Sequence, residues 1–203
     1  MKLGIFGGTF DPVHNLHLFI AESARKLEAL DRVLFVPTNN VHYRNKPSAT
    51  PEQRCEMLQL AIESNPNFLL DRSDLEEGAT GYTADLLPRL HAQYPDDDLI
   101  FIAGADSLTS SSWVRFEEVL ESLQALVIAP RAGIGADMLS RVLSAVPPAL
   151  RTRIKTLNLP ELPESATLVR TMLAQGRSAR YLVPEPVWKY IVDHELYASA
   201  KDA

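Results

Sequence analysis

The sequence predicts an α/β fold in which a doubly wound parallel sheet is covered by helices on both faces. Short apolar runs alternate along the chain with longer segments whose apolar residues follow a helical spacing. Strands that alternate with helices of about ten or more residues indicate βαβ units and a parallel sheet. Such crossovers are nearly always right-handed, which favours the doubly wound arrangement.

The first half of the chain contains three predicted strands and three predicted helices. The apolar run 3–6 ends at two glycines, and apolar residues then recur at helical spacing from Leu18 to Leu27. Thr50 before Pro51 is typical of a helix start, because threonine caps the first turn and proline suits it. In chain order, the predicted elements are strand 3–6, helix 17–30, strand 32–37, helix 51–64, strand 68–71 and helix 83–94.

The second half continues the alternation and closes with helices. Residues 99–103, Leu-Ile-Phe-Ile-Ala, are the clearest strand of the chain. Pro147-Pro148 ends the helix that is predicted over residues 137–146. We expect a single domain over residues 1–203, with residues 160–203 as its C-terminal helical part. In chain order, the predicted elements are strand 99–103, helix 116–123, strand 125–129, helix 137–146, strand 154–159 and helices 166–175 and 184–194.

The composition is that of an ordinary globular protein. Of the 203 residues, 46% are hydrophobic and 23% are charged, which disfavours wholesale disorder. The net charge of −6 argues against nucleic-acid binding, and no run reaches the ~18 apolar residues of a membrane span. Cys55 is the single cysteine, and the N-terminal apolar run is too short for a signal peptide. We therefore expect a cytoplasmic protein without a nucleic-acid or membrane partner.

The loop after the first predicted strand carries the strongest functional signal. Its glycines, Gly7 and Gly8, let a ligand approach the backbone, and the N–H groups of the following helix start attract phosphate. His14 and His17 are three residues apart and face the same side of a first helical turn. Both can donate to one phosphate group, and a polyphosphate favours the charged form of histidine.

The loop resembles a known family of nucleotide-transferring enzymes. The two histidines are similar to the (T/H)xGH signature of the nucleotidylyltransferase superfamily, whose fold is Rossmann-like. The run Gly-Gly-Thr-Phe-Asp-Pro-Val-His at residues 7–14 resembles the nicotinate mononucleotide adenylyltransferase family in particular. Position 16, usually glycine in that family, is Leu16 here. The resemblance implies that ATP phosphates contact Gly7, Gly8, Thr9 and Phe10.

Two further segments resemble the substrate-binding loops of this family. Gly104 and Asp106, just after the clearest strand, resemble a loop that lies by the adenosine of ATP, and a helix cap at Asp106 is the structural alternative. Trp113 resembles the tryptophan that stacks on the pyridine ring, although it could belong to the core. The resemblance also places Tyr82 and Thr83 by the pyridine carboxylate or amide, and Thr83 is a natural helix cap as well.

Basic residues in three other segments are implied to meet phosphate. Either Arg44 or Lys46 would do so from the loop after the second strand, and Arg131 from the loop after the fifth. Ser165 and Thr167 open a C-terminal helix whose first turn offers N–H groups to phosphate. Arg170 in the same helix presents a planar fork that suits phosphate oxygens.

The resemblance implies that the chain transfers AMP from ATP to nicotinate mononucleotide, a step of NAD biosynthesis. The catalytic residues would be His14, His17 and Arg170. Mg²⁺ would arrive bound to ATP, with no metal site built from the protein alone. Homo-oligomerisation stays open.

Three alternatives remain at this point. Nicotinamide mononucleotide could be the preferred substrate, and the loops that would decide are those that differ from the family. Pantetheine-phosphate adenylyltransferases and cytidylyltransferases share the histidine pair, but they are not expected to carry the other motifs. A non-catalytic nucleotide-binding relative is the third reading, motivated by Leu16 and the altered loops.

Overall fold

The computed structural model describes residues 1–38, 47–109, 113–130, 136–160 and 162–198, and residues 136–139 by their backbone alone. The strands are β1 (Lys2–Gly8), β2 (Arg32–Pro37), β3 (Phe68–Leu70), β4 (Asp98–Gly104), β5 (Ala125–Ala129) and β6 (Ile154–Thr156). The helices are α1 (Asn15–Leu27), α2 (Pro51–Ile62), α3 (Thr83–Gln93), α4 (Phe116–Ser122), α5 (Ala136–Ala145), α6 (Pro148–Arg151), α7 (Ala166–Ala174) and α8 (Glu185–Asp193).

The six strands form one parallel sheet in the order β3-β2-β1-β4-β5-β6. From β1 the chain adds β2 and β3 outward on one side, then crosses to β4 and adds β5 and β6 on the other. The predicted doubly wound, Rossmann-like parallel sheet is therefore confirmed. The crossovers diverge between β1 and β4, and a ligand crevice is expected at the carboxyl ends of those two strands.

Each face of the sheet carries its own apolar core. Phe6 and Phe35 point to one face, where α1, α2, α7 and α8 cover them. Ile5 and Leu34 point to the other face, where α3 and α4 cover them. This alternation follows from the two-residue period of a strand, and burial on both faces explains why the strands are continuous apolar runs. In the described part of the chain, no helix is long and apolar enough to cross a membrane.

Several element ends differ from the predictions. Helix α1 begins at Asn15, ahead of the predicted start, so that His14 is its N-cap. Thr83 does not cap α3, because Tyr82 occupies the cap position and Thr83 is the first helical residue. Thr50 does cap α2, accepting a hydrogen bond from a backbone N–H in its first turn. Helix α6 escaped prediction, since four residues are too few to show a period, and β6 is shorter than expected.

The loop after β1 is held in place by a buried carboxylate. Asp11 is 4% exposed. Its side chain accepts hydrogen bonds from the backbone N–H of Ser48 at 2.9 Å and of Ala49 at 3.0 Å. The hydroxyl of Tyr197, near the end of the described chain, donates a third at 2.9 Å. Burial and the neighbouring Asp11 raise the pKa of Tyr197, which keeps this hydroxyl protonated as a donor.

A buried guanidinium supports the same loop from α2. Arg54 is 1% exposed, and its Nη1 donates to the carbonyl oxygen of Thr9 at 2.6 Å. Burial lowers the pKa of Arg54, and the Asp11 carboxylate opposes that shift. The opposite charges of Arg54 and Asp11 compensate one another, because a lone buried charge is strongly unfavourable.

We expect Tyr197→Phe to lower the free energy of unfolding by about 1–2 kcal/mol, because buried Asp11 loses one donor. Chemical denaturation measures the change. The matched control is Tyr181→Phe, since Tyr181 is 85% exposed and its variant should stay within about 0.5 kcal/mol of wild type. Equal losses in the two variants would contradict a specific role for the Asp11 bond.

Candidate functional site

A pocket opens at the predicted position, between the carboxyl ends of β1 and β4. The strand ends contribute glycines from both sides, and aromatic and hydroxyl side chains complete the wall. The lining residues in the described chain are Gly7, Gly8, Thr38, Asp74, Gly81, Thr83, Leu86, Phe101, Ala103, Gly104, Ser107 and Trp113.

The two glycines that end β1 lie close against aromatic rings. A Cβ at Gly7 would lie 3.0 Å from the ring of Phe101, and one at Gly8 would lie 3.1 Å from the ring of Phe10. Phe10 itself is 2% exposed and has a positive φ of 50°. Its side chain is therefore a core group, and only its backbone is placed to contact a ligand.

The two histidines lie against each other at the start of α1. Their ring centroids are 3.7 Å apart, and His14 is 1% exposed. The backbone N–H of His14 donates to Nδ1 of His17 at 3.2 Å. Because Nδ1 accepts this bond, Nε2 is the ring nitrogen of His17 that is left to donate a proton to a ligand.

Leu16 does not enter the site. Its side chain is 4% exposed and packs in the core that α1 shares with α7 and α8. The residue that replaces the family glycine therefore points away from the histidine pair, and it leaves the first turn of α1 regular.

In the loop after β4, the carboxylate of Asp106 lies over Gly104. A Cβ on Gly104 would collide with Oδ1 of Asp106, so a larger residue there would require the Asp106 carboxylate to move. Residues Ala105–Thr109 form a 3-10 helix, and the hydroxyl of Ser107 donates to the carbonyl of Gly104 at 2.8 Å. This bond holds the turn that places Asp106 beside the pocket.

Trp113 belongs to both the core and the pocket. Its ring packs edge-on against Phe101 at 5.7 Å and Phe116 at 5.2 Å between centroids. Its Nε1 donates to the carbonyl of Ser107 at 3.1 Å, and its half-buried ring lines the pocket. The two readings of this residue are therefore compatible.

The start of α3 forms the opposite wall. Thr83 lines the pocket, while Tyr82 is half-buried in the cap position. Asp85, in the first turn, accepts a 2.5 Å hydrogen bond from Thr80 and forms an ion pair with Arg115. Because Arg115 follows Trp113 closely in sequence, this ion pair ties the two walls of the pocket together.

The structure brings the C-terminal motif to the first loop. Ser165 caps α7 by accepting from the backbone N–H of Leu168 at 3.1 Å. Arg170 donates from Nη1 to the carbonyl of Asp11 at 2.5 Å and from Nη2 to Thr167 at 3.3 Å. The histidine pair and Arg170 therefore flank one loop, on the same side of the sheet.

Two predicted phosphate contacts, one from either Arg44 or Lys46 and one from Arg131, fall in parts of the chain that the structure does not describe. Within the described ranges, no group of three or more His, Cys, Asp or Glu side chains could hold a metal ion.

Sequence reasoning missed Asp74. This carboxyl lines the pocket, is 4% exposed, and accepts hydrogen bonds from the side chain of Thr38 and the backbone of Gly81. Burial raises its pKa to about 6. The segment after the third predicted strand contains both Asp71 and Asp74, and no spacing in the sequence distinguishes them.

Solved structures with this fold include enzymes of pyridine nucleotide synthesis. The Plasmodium falciparum nicotinic acid mononucleotide adenylyltransferase complexed with NaAD superposes with a TM-score of 0.79, covering 97% of each chain at 19% identity. The same enzyme complexed with APC superposes with a TM-score of 0.76, covering 97% of this chain and 96% of that chain, also at 19% identity. At such low identity the likeness shows the fold alone.

Sequence comparison is more specific. The family model for cytidylyltransferase-like proteins matches residues 5–172. The probable nicotinate-nucleotide adenylyltransferase of Thermomicrobium roseum is 38% identical, covering 98% of this chain and 93% of that protein. The probable nicotinate-nucleotide adenylyltransferase of Citrifermentans bemidjiense is 37% identical, covering 99% of this chain and 100% of that protein. Because this similarity runs through nearly the whole of each chain, the protein belongs to the nicotinate-nucleotide adenylyltransferase family, within the wider cytidylyltransferase-like group.

Proposed function

We propose that this enzyme transfers AMP from ATP to nicotinate mononucleotide, producing nicotinate adenine dinucleotide and pyrophosphate in NAD biosynthesis. The observation that carries the proposal is the meeting of the His14–His17 pair and Arg170 at one glycine-rich loop. A loop flanked in this way suits a chain of phosphates. The relatives named for this reaction support the choice of substrates.

The pocket next to that loop suits a pyridine ring. Phe101 and Trp113 provide flat apolar surface, and Thr83 provides a hydroxyl and a helix N-terminal N–H. We propose that the pyridine nucleotide binds here with Tyr82 beside it. ATP would then lie across the loop after β1, with Asp106 near its ribose.

We propose a direct displacement. The 5′-phosphate of the mononucleotide attacks the α-phosphorus of ATP, a new P–O bond forms, and the bond to the β-phosphate breaks to release pyrophosphate. The attacking phosphate is already anionic, so the protein need only align the reactants and neutralise developing charge. No group on the protein has to become covalently attached.

The groups that we propose to donate hydrogen bonds to the phosphates lie near the start and near the end of the sequence. His17, with its proton on Nε2, donates to the α-phosphate, and His14 assists it. Arg170 reaches the outer phosphates with the N–H groups left over from its bonds to Asp11 and Thr167, since a guanidinium has five. Gly7, Gly8, Thr9, Phe10 and Ser165 would contribute backbone contacts, and Thr167, Arg131 and Arg44 or Lys46 side-chain contacts.

We propose that Mg²⁺ reaches the site bound to ATP. Within the described residues no cluster of side chains is suited to hold the ion, whereas Mg²⁺ commonly binds substrate phosphates and keeps several waters. The expected cytoplasmic location stays a prediction.

The direct test is pyrophosphate release. ATP with nicotinate mononucleotide should release pyrophosphate, and CTP in place of ATP should release far less. Binding of both substrates without release would favour the non-catalytic relative, and a preference for CTP would favour a cytidylyltransferase.

His17→Ala should lower kcat about 10²–10³-fold, because the site loses one aligned donor to the developing charge. Steady-state kinetics measures the change. His194→Ala is the control, since His194 is an exposed residue at the end of α8 and its variant should keep wild-type turnover. A loss below about fivefold for His17→Ala would refute the assigned role.

Gly104→Ala should raise the KM for ATP about tenfold or more, because the new Cβ displaces the Asp106 carboxylate from the position proposed for the ribose. Because Gly104 also lines the pocket proposed for the pyridine nucleotide, the KM for nicotinate mononucleotide is measured alongside, and a rise confined to that substrate would contradict the role of Asp106. An unchanged KM for ATP would show that Asp106 does not contact the nucleotide.

A further inference from the structure

The ion pair between Asp85 and Arg115 joins the two sides of the pocket. Asp85 lies in the first turn of α3, two residues after Thr83, and Arg115 lies two residues after Trp113. Thr83 and Trp113 are among the described residues that line the pocket, and neither member of the ion pair is. The pair therefore connects the two segments that we propose to contact the pyridine ring.

Arg115 adopts a backbone conformation that its place in the helix does not require. It is the N-cap of α4, with φ of 54° and ψ of 47° in the left-handed region. This region is unfavourable for arginine, and an N-cap normally has an extended backbone and a short side chain that accepts a hydrogen bond. The Arg115 side chain makes no such cap and reaches Asp85 on α3 instead. Strained residues of this kind are concentrated at functional sites.

Asp85 extends the connection to the segment that precedes α3. Its carboxylate accepts a 2.5 Å hydrogen bond from the hydroxyl of Thr80, and the oxygen of that hydroxyl accepts from the backbone N–H of Tyr82 at 3.3 Å. The bonds from Thr80 and Arg115 lower the pKa of Asp85, so its carboxylate stays ionised at neutral pH. A continuous series of polar contacts therefore runs from the backbone of Tyr82 to Arg115.

We propose that Asp85 and Arg115 are positioning residues for the pyridine nucleotide, holding Thr83 and Trp113 at the separation that a bound pyridine ring needs. The inference rests on the proposed function, since it assumes that the mononucleotide binds in the pocket that these two residues line. Trp113 packs against Phe116, the first residue of α4, so an ion pair that fixes the start of α4 also fixes the ring.

The exposure of the pair separates its effect on the site from its effect on the fold. The side chains of Asp85 and Arg115 are 36% and 42% exposed. Ion pairs in contact with water contribute little to the free energy of unfolding, because solvent screens them. We therefore expect loss of the pair to weaken substrate binding while leaving the stability of the chain almost unchanged.

The experiment measures the KM for nicotinate mononucleotide at saturating ATP. Asp85→Asn and Arg115→Gln should each raise this KM about fivefold, the upper range for an exposed ion pair. The double variant should raise it no further than either single variant, because each removes the same contact. Chemical denaturation should give nearly the same midpoint for all three variants and wild type. Additive effects on KM, or a loss of stability without a change in KM, would overturn the inference.

The two single variants also separate positioning from a long-range effect of charge. Arg115→Gln makes the surroundings of the pocket more negative, which alone would weaken binding of the nicotinate carboxylate. Asp85→Asn makes them more positive, which alone would strengthen binding. Positioning predicts weaker binding in both variants, so a lower KM for Asp85→Asn would contradict it.

Glu118→Gln serves as the control variant. Glu118 forms the other ion pair of Arg115, at 3.6 Å, and its side chain is 64% exposed. Removing this charge leaves the contact between Arg115 and Asp85 in place, so the KM should stay within about twofold of wild type. A rise equal to that of Asp85→Asn would show that the contact with Asp85 has no specific role.

The fluorescence of Trp113 gives a second measurement that does not depend on turnover. The chain has two tryptophans, so Trp188→Phe leaves Trp113 as the single reporter. In that background, Asp85→Asn and Arg115→Gln should shift the emission to longer wavelength, because the half-buried ring gains contact with water. Unchanged emission in both variants would overturn the inference.

Failure of the inference is distinguishable from failure of the proposed function. If the wild-type chain releases pyrophosphate from ATP and nicotinate mononucleotide but neither charge-removing variant changes the KM, only the positioning role fails. If the wild-type chain releases none, the proposed function fails and the inference fails with it.

Discussion

The carboxylate of Asp11 lies buried in the loop after β1. A buried negative charge is strongly unfavourable unless hydrogen-bond donors or positive charges surround it. Its donors come from the segment before α2 and from Tyr197, and Arg170 lies against it with Nη1 3.8 Å from its Oδ2. Distant parts of the chain are therefore drawn to one point. The loop between the glycines and the first histidine is therefore anchored by contacts that reach Asp11 from several directions.

The same arrangement explains how two separate motifs become one site. Arg170 is attached to the loop through the Asp11 carbonyl, and Asn15 at the start of α1 bonds to the backbone of Tyr181 and Leu182. Helix α7 and the segment after it therefore lie against the histidine-bearing helix. The other wall of the crevice is assembled independently, by the Asp85–Arg115 ion pair between α3 and the segment after Trp113.

The sheet was predictable because strands buried on both faces are continuous apolar runs, and residues 99–103 show this most clearly. Short elements such as α6 were not predictable, since they contain less than one period of the pattern. In the site, the histidine pair follows from its spacing. The buried ring of Phe10 does not, because it depends on a positive φ and on the neighbouring glycine.

The burial of Asp74 could not be predicted from the sequence either. A carboxyl in a polar segment is ordinarily solvent-exposed, and only the packing of the 3-10 helix Ser73–Leu75 against β2 and α3 buries this one. Its importance lies in tertiary contacts that local sequence does not encode. The roles assigned to the individual site residues remain predictions, since they depend on bound substrates.

The contacts of the first loop also have a consequence for biosynthesis of the chain. Residues 7–17 are synthesised well before Arg170, Leu182 and Tyr197, which bond to that segment. A nascent chain that has completed its sheet has the Asp11 bonds to Ser48 and Ala49, but it still lacks the bonds that Arg170, Leu182 and Tyr197 make. A chain cut short before α8 would therefore lack the hydrogen bond from Tyr197 to buried Asp11.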